Sequence, residues 1–138
     1  MIRILIVDDL AEVRRELATL LVLAARRLGI AIDVVGEAKD GLEAVQEARR
    51  LCPDVVLMDL EMPGLDGFEA TRRIKADRPA VRLIILSIHA GSYELERARA
   101  AGADGFIVKG AGHQVLLQAI LAKDGSPNSF DFQKGEKK

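Results

Sequence analysis

Five short apolar runs alternate along the chain with segments of helical periodicity, and this alternation restricts the fold more than any other feature. The apolar runs predict strands at Ile2–Val7, Ile32–Val35, Val55–Met58, Val81–Leu86 and Phe106–Val108. A run that is apolar on both faces is typical of a parallel strand buried inside a domain. The segments between the strands carry apolar residues at three- and four-residue steps, as amphipathic helices do. The sequence therefore predicts an α/β fold with an open, doubly wound parallel sheet.

Turn and capping residues separate these elements. Asp40 precedes the second helix, Ser92 can cap the fourth, and Gly102 ends the fourth. From Asp124 onward the sequence is polar and contains Gly and Pro, which is typical of a tail or the start of a linker. We therefore predict one domain over residues 1–123 and a C-terminal tail over residues 124–138.

Composition excludes several classes of function. The chain has 138 residues with 20 Lys or Arg and 21 Asp or Glu, so its net charge of −1 argues against direct binding of nucleic acid. The single cysteine, Cys52, excludes an internal disulfide and a cysteine-cluster metal site. No apolar run is long enough to span a membrane, and Asp8 follows the first run too soon for a signal peptide. These features predict a soluble cytoplasmic protein.

Polar side chains follow four of the five predicted strands. In order along the chain they are Asp8, Asp9, Asp59, Ser87 and Lys109. The second strand runs into Gly36-Glu37 and offers no comparable group. Because ligands of such sheets bind outside the carboxyl ends of the strands, we expect these side chains to converge. Taken singly, each has an ordinary interpretation as a helix cap, a turn residue or a surface charge.

Taken together, these groups suit phosphoryl transfer. Converging carboxylates repel one another, and Mg²⁺ bound near Asp9 and Asp59 would offset that repulsion. A carboxylate can attack phosphorus to give an aspartyl phosphate, while Lys109 and Ser87 are placed to contact phosphoryl oxygens. The sequence has no glycine-rich nucleotide-binding motif, so the phosphoryl donor should be another molecule.

Four segments, LIVDD, MDLEMPGLDG, IILS and GADGFIVKG, share their order and spacing with a known family. Over residues 2–122 the sequence resembles the receiver domain of two-component response regulators. The resemblance implies a flavodoxin-like (βα)5 fold with strand order 2-1-3-4-5. It also implies a signalling module that assists its own phosphorylation and its slow dephosphorylation, and is not an enzyme in the usual sense.

The resemblance assigns a role to each matched position. It implies that Asp59 is the phosphoacceptor and that Asp8, Asp9, Asp59 and the backbone carbonyl of Glu61 organise Mg²⁺. It further implies that Lys109 binds the phosphoryl group, and that Ser87 and Phe106 form a switch. Three positions depart from the commoner family pattern: Ser87 replaces Thr, Phe106 replaces Tyr, and Gly110 replaces Pro.

The family resemblance also implies partners. The phosphoryl donor would be a sensor histidine kinase or a phosphotransfer protein, and the phosphorylated domain could form a homodimer. The Gly110 loop resembles receivers of LuxR-type (NarL/FixJ) regulators, whose DNA-binding output domain is missing from this sequence. Either the sequence is part of a longer protein or the receiver acts alone.

Two other functions remain open at this point. A haloacid-dehalogenase-like phosphatase also uses an Asp nucleophile and Mg²⁺, but it requires an Asp where this chain has Glu61. An interaction module that needs no phosphorylation could share the fold. Near the site, Glu61 and His89 are candidates for controlling the water that hydrolyses the acyl phosphate, although His89 is equally well a solvated loop residue.

Overall fold

The computed structural model describes residues 1–62 and 64–122, which form five strands and five helices in strict alternation. The strands are β1 (Ile2–Val7), β2 (Ile32–Ala38), β3 (Val55–Asp59), β4 (Arg82–Ser87) and β5 (Gly105–Val108). The helices are α1 (Ala11–Arg27), α2 (Gly41–Leu51), α3 (Gly67–Asp77), α4 (Ser92–Ala101) and α5 (His113–Leu121). All strand pairs are parallel, and the order across the sheet is β2-β1-β3-β4-β5. The predicted flavodoxin-like fold and strand order are confirmed.

The sheet has a separate apolar core on each face. Alternate residues of each strand point to opposite faces, so the largely apolar strands contribute side chains to both cores. One core packs the sheet against α2, α3 and α4, with Phe106 and Met58 among its buried residues. The other packs it against α1 and α5, with Leu21 and Leu116. Among the helices of the described residues, none is both long and apolar enough to cross a membrane.

Strand β2 is longer than predicted. The prediction ends this strand at Val35, but the strand continues through Gly36 and Glu37 to Ala38. Gly36 pairs with Leu5 of β1 next to a register shift between Ile4 and Leu5. A Cβ atom at Gly36 would lie 2.4 Å from Leu51 Cδ1 in α2, so any larger residue would force the Leu51 side chain to move. Gly36 thus lies within a strand, packed closely against α2, and does not form a turn.

The helix caps agree only in part with the sequence. Asp40 caps α2 by accepting a hydrogen bond from the backbone N–H of Glu43, as predicted. Ser92 does not cap α4: the N-cap is Gly91, Ser92 is the first helical residue, and the cap makes no side-chain hydrogen bond. The predicted tail at residues 124–138 lies outside the described residues.

Charged side chains are paired with opposite charges or backbone groups at the amino edge, which we define as the edge of the sheet where the strands begin. Asp54 accepts a hydrogen bond from the backbone N–H of Arg3 at 2.9 Å. The ammonium group of Lys75 donates to Asp104 at 2.9 Å and to the backbone carbonyl of Val81 at 2.6 Å. These bonds tie the loops at this edge to β1, α3 and β4, and they contribute to the stability of the fold.

Candidate functional site

The polar residues singled out in the sequence converge at the carboxyl edge, where the strands end. Asp8 and Asp9 directly follow β1, Asp59 is the last residue of β3, Ser87 ends β4, and Lys109 follows β5. Strands β1, β3, β4 and β5 are successive neighbours in the sheet, so these side chains lie side by side although up to 101 positions separate them in sequence. The predicted convergence is confirmed.

Three carboxylates form an acidic cluster. One oxygen from each of Asp8, Asp9 and Asp59 lies within 4.8 Å of the others. Asp8 is 4% exposed and Asp59 is 1% exposed, whereas Asp9 is exposed to solvent. Like charges at this separation disfavour one another, and the effect is stronger where water is excluded. The cluster is therefore complementary to a cation.

Lys109 supplies one positive charge to this cluster. Its Nζ atom lies 2.7 Å from Asp59 Oδ1, 3.7 Å from Asp8 Oδ2 and 3.8 Å from Glu61 Oε1. Partial burial lowers the pKa of Lys109, but the hydrogen bond to Asp59 and the charges of Asp59, Asp8 and Glu61 outweigh burial and raise the pKa. The ammonium group is therefore charged at neutral pH and held against Asp59.

The two oxygens of Asp59 have different surroundings. Oδ1 accepts hydrogen bonds from Lys109 and, at 3.2 Å, from the backbone N–H of Glu61. Oδ2 is buried and has no hydrogen-bond partner among the described residues. Burial raises the pKa of Asp59 to about 6, with a further contribution from Asp8, while Lys109 and the Glu61 N–H act in the opposite direction. One oxygen of the most buried carboxylate thus lacks a compensating group.

The side chain of Glu61 occupies a position that the sequence did not reveal. Its Oε2 accepts a hydrogen bond of 2.7 Å from the Ser87 hydroxyl, and its Oε1 lies 3.8 Å from Lys109. The Glu61 carboxylate therefore contacts both groups that were expected to contact a phosphoryl group. The backbone N–H of His89 donates to Ser87 Oγ at 3.1 Å, while the His89 residue is exposed.

Phe106 lies deep in the sheet. It is 0% exposed and stands opposite Ile85 of β4, two residues before Ser87. Ser87 in turn stands opposite Val108 of β5. The expectation that Ser87 and Phe106 belong to neighbouring strands is confirmed.

A groove opens beside the site, between α1 and the loop that connects β5 to α5. Its volume is about 400 Å³, and its lining includes Asp8, Lys109, Leu20 and His113. Gly110 and Gly112 in this loop have φ values of 94° and 103°, which favour glycine. The groove connects the acidic cluster to an apolar surface of α1 and α5.

Arg14, which the sequence pattern does not single out, also contributes to the site. Its guanidinium donates to the backbone carbonyl of Asp8 and to Glu37 of β2. No spacing signal marks this contact, because Arg14 lies among several arginines of α1 and Glu37 lies on β2, a strand with no other site residue.

Comparison with known proteins agrees with this arrangement. The family model of the response regulator receiver domain matches residues 4–121. Response regulator GacA of Pseudomonas viridiflava is 41% identical over 120 residues, which cover 87% of this chain and 54% of that protein. Response regulator protein VraR of Staphylococcus saprophyticus is 37% identical over 132 residues, covering 96% of this chain and 61% of that protein. The chain thus spans little more than half the length of these curated relatives.

Solved structures show the same similarity. A LuxR-family two-component response regulator from Aurantimonas sp. SI85-9A1 has a TM-score of 0.76 and 41% identity, covering 86% of this chain and 81% of that one. The response regulator domain of Thermotoga maritima CheB has a TM-score of 0.74 and 40% identity, covering 87% and 93%. These matches do not support the phosphatase alternative. The chain belongs to the response regulator receiver domain family, signalling modules whose function is phosphoacceptance in two-component systems.

Proposed function

We propose that Asp59 accepts a phosphoryl group and that the phosphorylated domain switches a partner-binding or dimerisation surface. The observation that carries this proposal is the environment of the Asp59 carboxylate, which is buried, bonded to Lys109 and flanked by Asp8 and Asp9. A carboxylate with this mixture of burial and nearby charge is typical of a reactive group. The whole domain, over residues 1–123, would serve as the support for this site.

The donor set fits Mg²⁺, a hard cation that prefers carboxylate and carbonyl oxygens. Asp59 Oδ2 is buried without a hydrogen-bond partner among the described residues, and one oxygen of Asp59 lies within 4.8 Å of an oxygen of Asp8 and of Asp9. In the proposed site, Asp9, Asp59 and the Glu61 carbonyl would hold the ion, and Asp8 would act mostly through water. When bound, Mg²⁺ would neutralise negative charge on the transferring phosphoryl group.

In the proposed phosphoryl transfer, one bond forms and one bond breaks. An oxygen of the Asp59 carboxylate attacks phosphorus and forms the acyl phosphate, while the bond between phosphorus and the donor's imidazole nitrogen breaks. The nitrogen keeps the electron pair. Lys109 holds Asp59 for the attack and then pairs with a phosphoryl oxygen, and the Ser87 hydroxyl donates to another. The Glu61 side chain has to leave Ser87 before this last bond can form, because it occupies the same hydroxyl.

The switch would run from Ser87 to Phe106. In the structure the Ser87 hydroxyl donates to Glu61, and Phe106 is fully buried on the adjacent strand. If Ser87 turns toward a phosphoryl oxygen, the packing between β4 and β5 changes next to the Phe106 ring. Phosphorylation can shift the equilibrium between the two conformations of Ser87 and Phe106 only through contacts that differ between those conformations. We propose that the hydroxyl of Ser87 supplies that difference.

The proposed donor is a sensor histidine kinase or a phosphotransfer protein in the cytoplasm. The groove beside Asp8 and Lys109 offers an apolar surface next to the acceptor on which such a donor could dock. The readout would be homodimer formation or control of a DNA-binding domain, as the similarity to longer LuxR-type regulators suggests. The domain would also assist its own slow dephosphorylation.

Phosphorylation by acetyl phosphate in the presence of Mg²⁺ tests the proposal directly. Intact mass measurement should show one added phosphoryl group on the wild-type chain and none on Asp59→Asn. Asp33→Asn is the matched control, because Asp33 is an exposed aspartate on β2 and its replacement should leave labelling intact. Labelling of Asp59→Asn at the wild-type rate would exclude Asp59 as the acceptor. A folded wild-type chain that takes up no phosphoryl group would favour an interaction module that needs no phosphorylation.

A further inference from the structure

Arg14 links the acidic cluster to strand β2. Its side chain is only 16% exposed, and it makes two short hydrogen bonds. One nitrogen, Nη1, donates to the backbone carbonyl of Asp8 at 2.6 Å, and Nε donates to Oε1 of Glu37 at 2.6 Å. Glu37 lies on β2, where it pairs in register with Ile6 of β1. The end of β2 therefore contacts the site through Arg14, although it contributes no group to the cluster.

The bonded carbonyl belongs to the peptide unit between Asp8 and Asp9. Asp8 itself is held on two other sides, since its N–H donates to Ala38 at 3.0 Å and its Oδ1 accepts from the Leu10 N–H at 3.0 Å. The Asp9 carboxylate is exposed and has no hydrogen-bond or ion-pair partner within residues 1–62 and 64–122. Its direction thus depends on the backbone that leads into it. Arg14 fixes the orientation of that peptide unit.

We propose that Arg14 is a positioning residue for the metal site and that Glu37 anchors it. The inference rests on the proposed function, because it assumes that Asp9 and Asp59 hold Mg²⁺. A ligand that is aimed in advance loses less freedom on binding a cation, which is why residues that orient metal ligands raise affinity. Arg14 would act through the Asp8 carbonyl and would not touch the ion.

Charge and positioning predict opposite effects of removing Arg14. Loss of a positive charge near three carboxylates should by itself strengthen the binding of a divalent cation. Loss of the hydrogen bond to Asp8 should weaken binding, because the Asp8–Asp9 peptide is then free to turn. The sign of the change in Mg²⁺ affinity therefore distinguishes the two roles.

Titration calorimetry of the metal-free full chain with Mg²⁺ alone measures this sign. Arg14→Gln should raise the Kd roughly tenfold. Arg15→Gln is the matched control, since Arg15 is the next residue of α1, is exposed, and carries the same charge. Its replacement should leave the Kd unchanged or slightly lower. An Arg14→Gln Kd equal to or below that of wild type would overturn the positioning role.

A conservative variant separates the shape of the guanidinium from its charge. Arg14→Lys keeps the charge but offers one donor group in place of a two-pronged fork. Its Kd should lie between those of wild type and Arg14→Gln. A Kd equal to that of wild type would show that the two-pronged fork joining Asp8 to Glu37 is not needed for Mg²⁺ binding, and it would overturn the inference even if Arg14→Gln failed to fold.

A double-mutant cycle tests the anchor. Glu37→Ala should weaken Mg²⁺ binding several-fold in the wild-type background and have little effect once Arg14 is Gln. An equal effect in both backgrounds would mean that Glu37 acts through its own charge, against the proposal. If the wild-type chain fails to bind Mg²⁺, the proposed function itself is wrong. If it binds Mg²⁺ while the variants show no loss, only the role of Arg14 and Glu37 is wrong.

Discussion

Replacing Asp59 by Asn should stabilise the metal-free domain at neutral pH, although it removes the proposed acceptor. The carboxylate is 1% exposed, lies near two other carboxylates, and has one oxygen without a partner among the described residues. Asn keeps nearly the same shape and carries no charge to desolvate. The variant loses the ion pair with Lys109, but that contact only partly offsets the effect of burial in the wild type.

The magnitude follows from the pKa of Asp59, which burial raises from 3.8 to about 6. Below about pH 3.8 both the folded and the unfolded chain hold the proton, so the carboxyl group costs nothing. As the pH rises through the window between these two values, the unfolded chain releases the proton first, and the free energy of unfolding falls. Above about pH 6.5 the full penalty remains, roughly 3 kcal/mol by the difference between the two values.

Urea unfolding followed by circular dichroism, with EDTA present, measures this penalty. At about pH 7.5 Asp59→Asn should be about 1–3 kcal/mol more stable than wild type, and near pH 4 the difference should approach zero. Asp33→Asn, an exposed change on β2, should show no such pH-dependent gain. Saturating Mg²⁺ should stabilise the wild type more than the variant. A variant that is less stable than wild type at neutral pH, or a gain independent of pH, would refute the reasoning.

Three further outcomes follow from the contacts of the site. Glu61→Gln should speed phosphorylation by acetyl phosphate several-fold in stopped-flow or mass measurements, because a neutral side chain holds Ser87 and Lys109 less tightly. An unchanged or slower rate would show that the Glu61 carboxylate does not compete with the phosphoryl group for these two residues. Ser87→Ala should still accept the phosphoryl group but leave the Phe106 ring resonances unshifted in NMR spectra, and a full shift would show that another residue transmits the change. His89→Ala should leave the dephosphorylation rate within about twofold, because the residue is exposed; a larger change would show that the imidazole contacts the attacking water.

The parts of the fold that depend on local pattern were predictable from the sequence. The strands are largely apolar runs, and a polar site residue stands at the end of four of them, so the pattern alone places Asp59 and Lys109 at one edge of the sheet. The end of β2 was not predictable, because Gly36 is a turn signal in isolation. Its role depends on Leu51, which approaches from α2. Such a contact is long-range, and no local pattern carries it.

The same limit applies to the site. The sequence identified Glu61 through its backbone and through the water path, yet its carboxylate bonds to Ser87, which lies 26 residues away. Arg14 and Glu37 are 23 positions apart, and their pairing depends on how α1 lies across the end of β2. Long charged side chains have many rotamers, and only the folded surroundings select one. The pattern therefore indicated which residues form the site, whereas the hydrogen-bond partners of their flexible side chains are set only in the folded structure.

The two edges of the sheet differ in how their charges are arranged. At the amino edge opposite charges meet in pairs such as Lys75 with Asp104, whereas at the carboxyl edge three carboxylates face a single lysine. The amino edge therefore stabilises the fold, whereas the carboxyl edge carries unfavourable like-charge contacts that the proposed Mg²⁺ would relieve. Sequence drift at the amino edge would lower the abundance of folded protein without altering its chemistry. Substitutions that remove a carboxylate from the carboxyl edge would raise the free energy of unfolding but abolish the proposed signalling.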